Sequence, residues 1–486
     1  MSELLLICLA SPLAAVTAIA FGAPARKSAL IAALVSLIGT LVLAINFDPT
    51  ASGYQFVTET EPLALDSFFN IQFAVGLDGI NLPLVLLTSV VGLAAILAVP
   101  SRISSEENQA GEGGYFINLL LILFGAMGAF ASLDLFYLYI FHEVALIPTF
   151  LLMGYWGNGD KRFSATQLAL YLMTGSLILL GGIFAFYFSM PEGMQTMDLR
   201  EMEAVMDGKA QSAVLPLLVV GFGILVSLFP FHSWAPSAYA NSPAPVAMLH
   251  AGVLKKFGIY GLLRLAVPFL PEGMESWTNV FCVLLLMNVL YVGLVTIHQK
   301  KLDFLLGYSS VMHMGYLFLG LFSMKAIGLS GVILLMVGHG LSTALLFGLA
   351  GEIRDRAGTL EFSKLGGLAT KAPLLSFLFI IGAMASIGLP GLANFSGEIL
   401  IYFGAWEAGL YWVTAMSVLG IVISAVYMLR AVRSVFYGEL SPESGRVNDL
   451  VQWKERIPYL ILVVGLILVG IYPKLILKWS ETLFGA

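Results

Sequence analysis

Residues 244–268 read APVAMLHAGVLKKFGIYGLLRLAVP, an apolar run with two adjacent lysines, Lys255 and Lys256, near its centre. A run of about 20 apolar residues is long enough to cross the hydrocarbon core of a membrane as a helix. A charge at the bilayer centre costs roughly 2.5–3.5 kcal/mol on insertion scales. A structural role can be filled without such a charge, so this stretch indicates a membrane span whose lysines have a function.

The composition agrees with this interpretation of the stretch. Of 486 residues, 59% are hydrophobic and 11% are charged, whereas an ordinary soluble domain has about 25% charged residues. The first apolar run, from Leu4, lacks the basic start and small-residue cleavage site of a signal peptide, so we expect a retained span. Cys8 and Cys282 lie alone in different runs and are expected to be small core residues, without zinc or iron–sulfur ligation.

The sequence predicts an all-α integral membrane protein, a single polytopic domain over 1–486, with about fourteen spans. The approximate ranges are 3–21, 28–46, 78–100, 115–133, 134–153, 164–189, 213–230, 244–268, 275–297, 303–323, 327–350, 372–407, 410–437 and 458–476. The polar stretches 47–77 and 190–212 are predicted to connect spans.

Prolines interrupt the seventh and twelfth predicted spans. The seventh contains Pro230 and is followed by Pro236, and the twelfth contains Leu389-Pro390-Gly391. Proline breaks the helical ladder, which membranes tolerate only where protein or water satisfies the freed groups. Both spans are the fourth of a set of five, so we predict two inverted five-helix repeats, a pattern typical of a transport pathway. The predicted parts are 1–112 with three spans, 113–268 and 269–437 as the repeats, and 438–486 with the C-terminal span.

Basic residues fall mainly on alternate connections, which predicts the orientation. We expect the richer side to be cytoplasmic and both termini to be on the outer, periplasmic side. The richer side holds Arg26, Lys27, Arg102, Lys161, Arg162, Lys300, Lys301, Arg354, Arg356, Lys364, Lys371, Arg430, Arg433, Arg446, Lys454 and Arg456. The other side holds Arg200, Lys209, Lys325, Lys474 and Lys478.

Five titratable residues lie near the middle of predicted spans: Glu143, Lys256, His313, His339 and Glu398. Burial disfavours the charged form of lysine and glutamate, so both can exchange protons near neutral pH, and histidine does so with almost no change. The set predicts a proton relay at mid-membrane depth.

Other interpretations of these residues stay open. A buried histidine, here His313 or His339, can be a hydrogen-bond partner between helices, and Glu143 can form a static ion pair with a lysine. Adjacent residues of a helix differ by about 100°, so Lys255 and Lys256 cannot share a face. We predict Lys256 as the pathway residue and Lys255 as the one nearer a partner or a structural site. His232, beside Pro230, is expected either to brace the break or to join the pathway.

Motifs of soluble enzymes are missing from the sequence: there is no GxGxxG after a strand, Walker loop, HExxH or nucleophile elbow. We expect no catalytic residue for redox chemistry, no metal site and no flavin or nicotinamide site in this chain.

Several motifs together resemble one known family. They are Val75-Gly76-Leu77-Asp78-Gly79, Phe141-His142-Glu143, Trp156-Gly157, Pro230-Phe231-His232-Ser233-Trp234-Ala235-Pro236, Ala251-Gly252-Val253-Leu254-Lys255-Lys256 and Asn394-Phe395-Ser396-Gly397-Glu398. Over nearly the whole chain and in the same order, they are similar to subunit M of bacterial NADH-quinone oxidoreductase, respiratory complex I.

The resemblance implies a fourteen-helix, antiporter-like subunit that moves a proton while NADH oxidation and quinone reduction occur in other subunits. Glu143 matches the fifth-span glutamate and Lys256 the central eighth-span lysine. His313 and His339 match relay positions, and Glu398 matches the release-side acid of the twelfth span. Flavin, iron–sulfur clusters and quinone are expected in partner subunits of the membrane and redox arms, and the location implied is the bacterial inner membrane.

One position departs from the family pattern. Leu225 stands where the family has the seventh-span lysine that pairs with the fifth-span glutamate. The candidates to replace it on the uptake side are His142, His250, Lys255 and His232. The opposing hypothesis is a subunit that keeps the scaffold and has weakened or lost proton transport.

Three other functional classes remain compatible with these residues. A multi-subunit sodium/proton antiporter or a membrane-bound hydrogenase-type complex would use the same scaffold, and a purely structural membrane subunit is the third class. Sodium instead of protons also remains open as the transported ion.

Overall fold

The computed structural model describes residues 1–51, 53–61, 63–66, 69–100, 103, 111–203 and 206–484. In these ranges the chain forms nineteen α-helices around one buried core. They are α1 (Ser2–Ala20), α2 (Ala25–Asn46), α3 (Asn81–Leu97), α4 (Gly111–Ala131), α5 (Leu135–Trp156), α6 (Lys161–Ser189), α7 (Gly208–Val226), α8 (Trp234–Asn241), α9 (Ala244–Gly252), α10 (Phe257–Phe269), α11 (Pro271–Leu286), α12 (Gly293–Ile297), α13 (Leu302–Ser323), α14 (Ala326–Ala357), α15 (Pro373–Ile387), α16 (Ala393–Glu407), α17 (Tyr411–Phe436), α18 (Trp453–Ile471) and α19 (Lys474–Phe484).

The helices confirm the predicted all-α membrane class. Among the described residues, eleven helical segments are long and apolar enough to cross a membrane, or twelve if α18 and α19, which meet at 69°, are one span. Two shorter apolar helices, α3 and α15, occupy parts of the third and twelfth predicted spans. The number of fourteen spans, the inverted repeats and the divisions at 112, 268 and 437 stay predictions.

Both predicted interruptions are present. α7 ends at Val226 and α8 begins at Trp234, with Pro230 in the connection, and α15 ends at Ile387 while α16 begins at Ala393. Gly388 and Gly391 have φ values of +83° and +92°, a region that side chains with a Cβ rarely adopt. These glycines let the chain turn sharply on either side of Pro390.

Two further distortions were not predicted from the sequence. A 3₁₀ turn, Leu254–Lys256, separates α9 from α10, and a π-helical segment, Met287–Val292, separates α11 from α12. Each alters which side chains face a neighbouring helix, and π-helical segments are frequent at functional sites.

Four short strands lie in the stretch that the sequence predicts only as a connection. β1 (Gln55–Glu59) pairs antiparallel with β4 (Ala74–Leu77), and β2 (Leu63–Asp66) pairs antiparallel with β3 (Phe69–Ile71). Asp78, the residue directly after β4, accepts hydrogen bonds from both terminal nitrogens of Arg264 on α10, at 2.5 and 2.6 Å. Both side chains are buried. This ion pair fixes the end of β4 to the helical core.

The helix α14 runs through the middle of the molecule. It packs against α3, α9, α13, α15, α16 and α18, and it is buried over nearly its whole length. Glycines allow the closest approaches: a Cβ on Gly338 would lie 2.9 Å from the carbonyl carbon of Ala393. Small residues at helix crossings let backbones approach in membranes, and side chains from several helices therefore converge on α14.

Candidate functional site

The two central lysines lie in the 3₁₀ turn between α9 and α10. Immediately before it, Gly252 packs on Gly340 of α14, where an added Cβ would lie 2.7 Å from the Gly252 carbonyl oxygen. This approach requires glycine, and it brings the lysine turn against the middle of α14.

Lys256, His339 and His313 form one buried cluster. The Lys256 Nζ donates to the carbonyl oxygen of Ala251 at 2.5 Å and lies 2.9 Å from Nδ1 of His339. The His339 and His313 ring centroids are 5.5 Å apart. All three side chains are at most 2% exposed. Three of the five predicted relay residues are thus within reach of one another.

The ring nitrogens of His339 have two polar neighbours. Nδ1 lies 2.9 Å from the Lys256 nitrogen, and the Thr343 hydroxyl lies 3.4 Å from Nδ1 and 3.3 Å from Nε2. When Lys256 is charged, its nitrogen can only donate, so Nδ1 is then the acceptor and a neutral His339 carries its proton on Nε2. In that state a proton that leaves Lys256 can be taken up at Nδ1.

Lys255 points to a different set of partners. Its Nζ lies 3.4 Å from Oγ of Ser310 on α13 and 5.5 Å from the ring centroid of Tyr239 on α8. The side chain is fully buried. The two lysines thus reach different helices, Lys256 toward α14 and Lys255 toward α13 and α8.

Glu398 lies at the break between α15 and α16. It is 3% exposed, and its Oε1 has no hydrogen-bond partner among the described residues. The other oxygen lies against Gly388, where an added Cβ would be 2.6 Å from it. The hydroxyls of Tyr316 and Tyr402 are also buried without a hydrogen-bond partner in the described chain, and their rings are 5.9 Å apart.

Glu143 does not join this cluster. Its side chain is 32% exposed at the edge of the molecule, and the hydroxyl of Ser176 on α6 donates to its carboxylate. Nδ1 of His142 is 3.5 Å from the same oxygen, and the His142 ring stacks on Phe257 with centroids 4.2 Å apart. The one basic side chain within 4 Å of its carboxylate among the described residues is therefore a histidine of its own helix.

Leu225 is buried on α7 at the place where the resemblance expects a lysine. Gly175 of α6 packs on Ile224, where an added Cβ would lie 2.7 Å from Cγ2. The helix α7 thus contacts the helix that carries Ser176 through Ile224, and the leucine side chain at position 225 cannot bind a proton.

The other two uptake candidates lie near Lys255. The ring of His250 lies between Trp234, at 5.5 Å, and Tyr239, at 5.4 Å, and its Nδ1 has no hydrogen-bond partner among the described residues. His232 stacks on Phe229 at 5.5 Å in the connection between α7 and α8. His250 therefore lies beside the ring that faces Lys255, and His232 lies at the break.

Sequence reasoning missed several polar partners of these residues. Ser310, Thr343 and Tyr239 contact the titratable groups directly, and Asn288 forms hydrogen bonds with both the seventh-span break and α13. Asn288 could have been found as the one amide in the run 280–297 that is otherwise apolar until Thr296.

Known proteins resemble this chain in sequence and in fold. Residues 132–424 match the family described as NADH:quinone oxidoreductase/Mrp antiporter, TM. NADH-quinone oxidoreductase subunit M of Rickettsia conorii is 32% identical over 454 residues, which cover 93% of this chain and 89% of that protein. One chain of the respiratory complex I from Thermus thermophilus with bound NADH superposes with a TM-score of 0.87 at 29% identity, over 99% of both chains. A chain of the Mrp complex from Dietzia sp. has the same fold, with a TM-score of 0.85 at 22% identity over 99% of this chain and 96% of that one.

Proposed function

The chain belongs to the NADH:quinone oxidoreductase/Mrp antiporter transmembrane family, and on that premise we propose that it is a proton-translocating membrane-arm subunit of an NADH-quinone oxidoreductase. NADH oxidation and quinone reduction then take place in other subunits, which hold the flavin, the iron–sulfur clusters and the quinone. This chain contributes to the translocase without a redox centre of its own.

The observation that carries the proposal is the buried cluster of Lys256, His339 and His313. A cation in the middle of a span costs roughly 2.5–3.5 kcal/mol, and neither Lys256 nor His339 has an acidic partner in the described chain. A permanent charge at this position would not stabilise the protein, whereas a group that gains and loses a proton can take part in proton transport. Lys256, His339 and His313 are therefore proposed as the centre of the relay.

The uptake half is proposed to begin at Glu143 with His142 as its partner. The 3.5 Å separation supports an ion pair whenever His142 is protonated. The pair would replace the lysine that is missing at Leu225. From there His250 and Lys255, which flank the Tyr239 ring, would lead inward to Lys256, while His232 would brace the break.

The release half is proposed to run from His313 to Glu398 at the second break. Both residues approach the same few backbone atoms, His313 at the carbonyl of Ser386 and Glu398 at Gly388. A carboxylate that is buried and unpaired on one oxygen is suited to receive a proton from within and pass it outward.

The surface around Glu143 supports an assembly with other membrane subunits. Exposed apolar side chains surround this helix position, among them Ile140 and Ile147 on α5 and Met173 and Leu177 on α6. A carboxylate at mid-helix that faces lipid is unfavourable, so a neighbouring subunit is proposed to cover this face. Other antiporter-like subunits of the membrane arm are the proposed neighbours.

The chain is proposed to lie in the bacterial inner membrane with both termini on the periplasmic side. A cavity of about 960 Å³ is lined by Arg26, Lys161, Arg354 and Lys454, from four different connections or helix ends. Their meeting at one end of the molecule supports the predicted basic, cytoplasmic side. Arg102, which is also assigned to that side, lies outside the described residues.

The proposal is tested by the proton-to-electron stoichiometry of the complete complex in vesicles. Glu143→Gln and Lys256→Ala are each expected to lower the number of protons moved per electron pair. Lys301→Ala, a change of an exposed lysine on a basic connection, is the control and should leave the ratio unchanged. Unchanged proton transport in both test variants would rule out the relay.

The subunits that copurify with the chain separate this function from its main alternative. Redox subunits with flavin and iron–sulfur clusters support the oxidoreductase. Copurification with membrane subunits alone would instead support a multi-subunit sodium/proton antiporter, whose fold the Dietzia chain shares.

A further inference from the structure

A groove of about 290 Å³ lies between α2, α3, α14, α18 and α19, away from the lysine and histidine cluster. Every described residue that lines it is apolar except Lys478 and Trp479 of α19, whose side chains carry a nitrogen. Leu41, Ile45 and Leu468 at its edge are exposed. The groove therefore opens on the outer face of the helices, where a membrane protein meets lipid.

The groove runs from one end of the helices toward their middle. Along α3 its lining extends from Pro83 to Val90, a distance of about 10 Å on a helix axis. Far from α19, Gly465 of α18 faces Leu341 of α14, where an added Cβ would lie 3.1 Å from Cδ1 of the leucine. Since the whole hydrocarbon core is about 30 Å thick, the groove covers most of one leaflet.

The helix α19 closes the other end of the groove. It meets α18 at 69°, so it lies close to the membrane plane when α18 crosses the membrane. Ile476 and Trp479 are buried on its inner side, whereas Lys474 and Lys478 are exposed. Such a helix is typical of the membrane–water interface. Gly79, just before α3, lies against the carbonyl oxygen of Trp479 and leaves no room for a side chain, which fixes α19 over the end of α3.

Two polar groups at this end of the groove lack partners. Trp479 is 4% exposed, and its indole N–H has no hydrogen-bond acceptor among the described residues, although buried donors are nearly always paired. The Lys478 ammonium lies 5.5 Å from the Trp479 ring centroid. No described carboxylate lies within 4 Å of that ammonium. The groove thus fits an occupant that is hydrocarbon along its length and anionic at this end.

We infer that the groove binds one anionic phospholipid, with an acyl chain between α3, α14 and α18 and the phosphate group at Lys478 and the Trp479 indole. A helix of a neighbouring subunit is about 10–12 Å across with its side chains, and a segment as long as the groove far exceeds its 290 Å³. A single extended hydrocarbon chain is narrow enough. The inference requires only that the chain spans a membrane, so it is independent of proton transport.

The site is tested with phospholipids that carry a photoreactive diazirine on one acyl chain. The full chain, with the subunits that copurify with it, is irradiated in liposomes and digested, and mass spectrometry locates the adducts. A phosphatidylglycerol probe is expected to label residues such as Val90 and Leu341. A phosphatidylcholine probe with the same acyl chain is expected to label them about fivefold less, which is the effect of one lysine on an anionic lipid.

Two variants with matched controls test the two ends of the site. Gly465→Leu fills the inner end and is expected to remove the labelling. Gly181→Leu, at an exposed glycine of α6 where an added Cβ meets nothing within 4 Å, should keep it. Lys478→Gln is expected to remove the preference for phosphatidylglycerol, whereas Lys209→Gln, at an exposed lysine assigned to the same side of the membrane, should not.

Each outcome either supports the site or overturns it. Adducts in the groove that depend on both Gly465 and Lys478 support it. The absence of adducts there, as expected if another subunit covers the groove, overturns it, and so does labelling that Gly465→Leu leaves unchanged. Equal labelling by the two probes in the unmodified chain also overturns it. Because Lys478 is exposed, Lys478→Gln decides the question even if Gly465→Leu fails to fold.

Discussion

At the residue scale, prolines inside helices leave carbonyl oxygens that side chains of other helices occupy. In α1, Pro12 cannot donate to the carbonyl of Cys8, and the Ser36 hydroxyl of α2 donates to that oxygen at 3.0 Å. Pro216 in α7 repeats the arrangement, because Trp277 Nε1 of α11 donates to the carbonyl oxygen of Ser212 at 3.0 Å. Because hydrocarbon offers no competing water, each such bond avoids the cost of about 1–3 kcal/mol for an unpaired buried group.

His142 gives the first prediction at this scale. His142→Phe removes the side chain whose protonated form would pair with Glu143 and keeps an aromatic ring to stack on Phe257. An opposite charge within about 4–6 Å changes the proton affinity of a carboxylate by roughly one to three powers of ten. We therefore expect proton transport by the complex in vesicles to fall about tenfold, measured as the initial rate of proton uptake at constant NADH oxidation.

A second change in the same background sharpens the test. His142→Phe with Leu225→Lys is expected to recover part of the transport, because it places a lysine at the buried position of α7 where the family resemblance expects one. His232→Phe is the control for loss of a histidine elsewhere and should have a smaller effect. Full transport in the His142→Phe variant would show that Glu143 works without it.

The mid-span positions of the proposed relay residues could be predicted from the sequence, but their contacts could not. A charge within an apolar run reveals its depth in the membrane, so Glu143 and Lys256 are both found at mid-span. The depth of a residue in the membrane does not reveal which way its side chain points. Glu143 lies at the edge of the molecule and is not a direct partner of Lys256. The contact of Lys256 with His339 depends on the close approach of Gly252 to Gly340. That approach cannot be predicted until the packing of the helices is known.

At the element scale, the π-helical segment Met287–Val292 positions one polar side chain between two functional elements. Asn288 accepts from Phe229 N–H at 2.6 Å and donates to the carbonyl oxygens of Ser227 at 3.2 Å and Val311 at 3.0 Å. Phe229 and Ser227 belong to the first break, and Val311 lies two residues before His313. Asn288 thus holds the connection between α7 and α8 against α13, the helix that carries His313.

Asn288→Leu is expected to destabilise the chain and to loosen the first break. The leucine is similar in size but leaves two buried backbone carbonyls and the half-buried N–H of Phe229 without their partner, at about 1–3 kcal/mol for each unpaired buried group. The measurement is the unfolding free energy of the full chain in detergent–SDS mixtures. Val280→Ala, at an exposed position of α11, is the control, and an equal effect of both changes would contradict the bracing role.

The buried pair of Asp78 and Arg264 gives a second stability prediction. Removing one partner of a buried ion pair costs about 3–5 kcal/mol, because the remaining charge is uncompensated. We therefore expect Arg264→Met to destabilise by about that amount in the same unfolding measurement. The double variant Asp78→Asn with Arg264→Met should be more stable than Arg264→Met alone, and a double variant that is less stable would contradict this.

Which elements the sequence reveals follows from their length. Long apolar runs reveal the spans. Pro230 and Pro390 reveal where the seventh and twelfth predicted spans are interrupted, because proline lacks the backbone N–H that a continuous helix needs at that residue. The strands over 55–77 were missed since each has five residues or fewer, too short for a clear period. The 3₁₀ and π segments were missed because their residues, such as Lys255 and Leu290, are equally compatible with an ordinary helix.

At the scale of the whole molecule, the orientation can be tested with thiol reagents that do not cross membranes. The native Cys8 and Cys282 are buried, so they provide a low background. A cysteine at Lys301, on a predicted cytoplasmic connection, should react only in inverted vesicles, whereas Lys209→Cys should react in intact cells. Reaction of both from the same side would contradict the predicted orientation.

Gly388 and His313 also have an evolutionary consequence. The helix α15 ends at Gly388, whose φ is +83°, and the Ser386 carbonyl oxygen faces Nε2 of His313 at 2.8 Å in place of a helical N–H. With this helix end but no histidine, a buried carbonyl would lose its partner. We therefore expect the two positions to covary among relatives although they lie on separate elements.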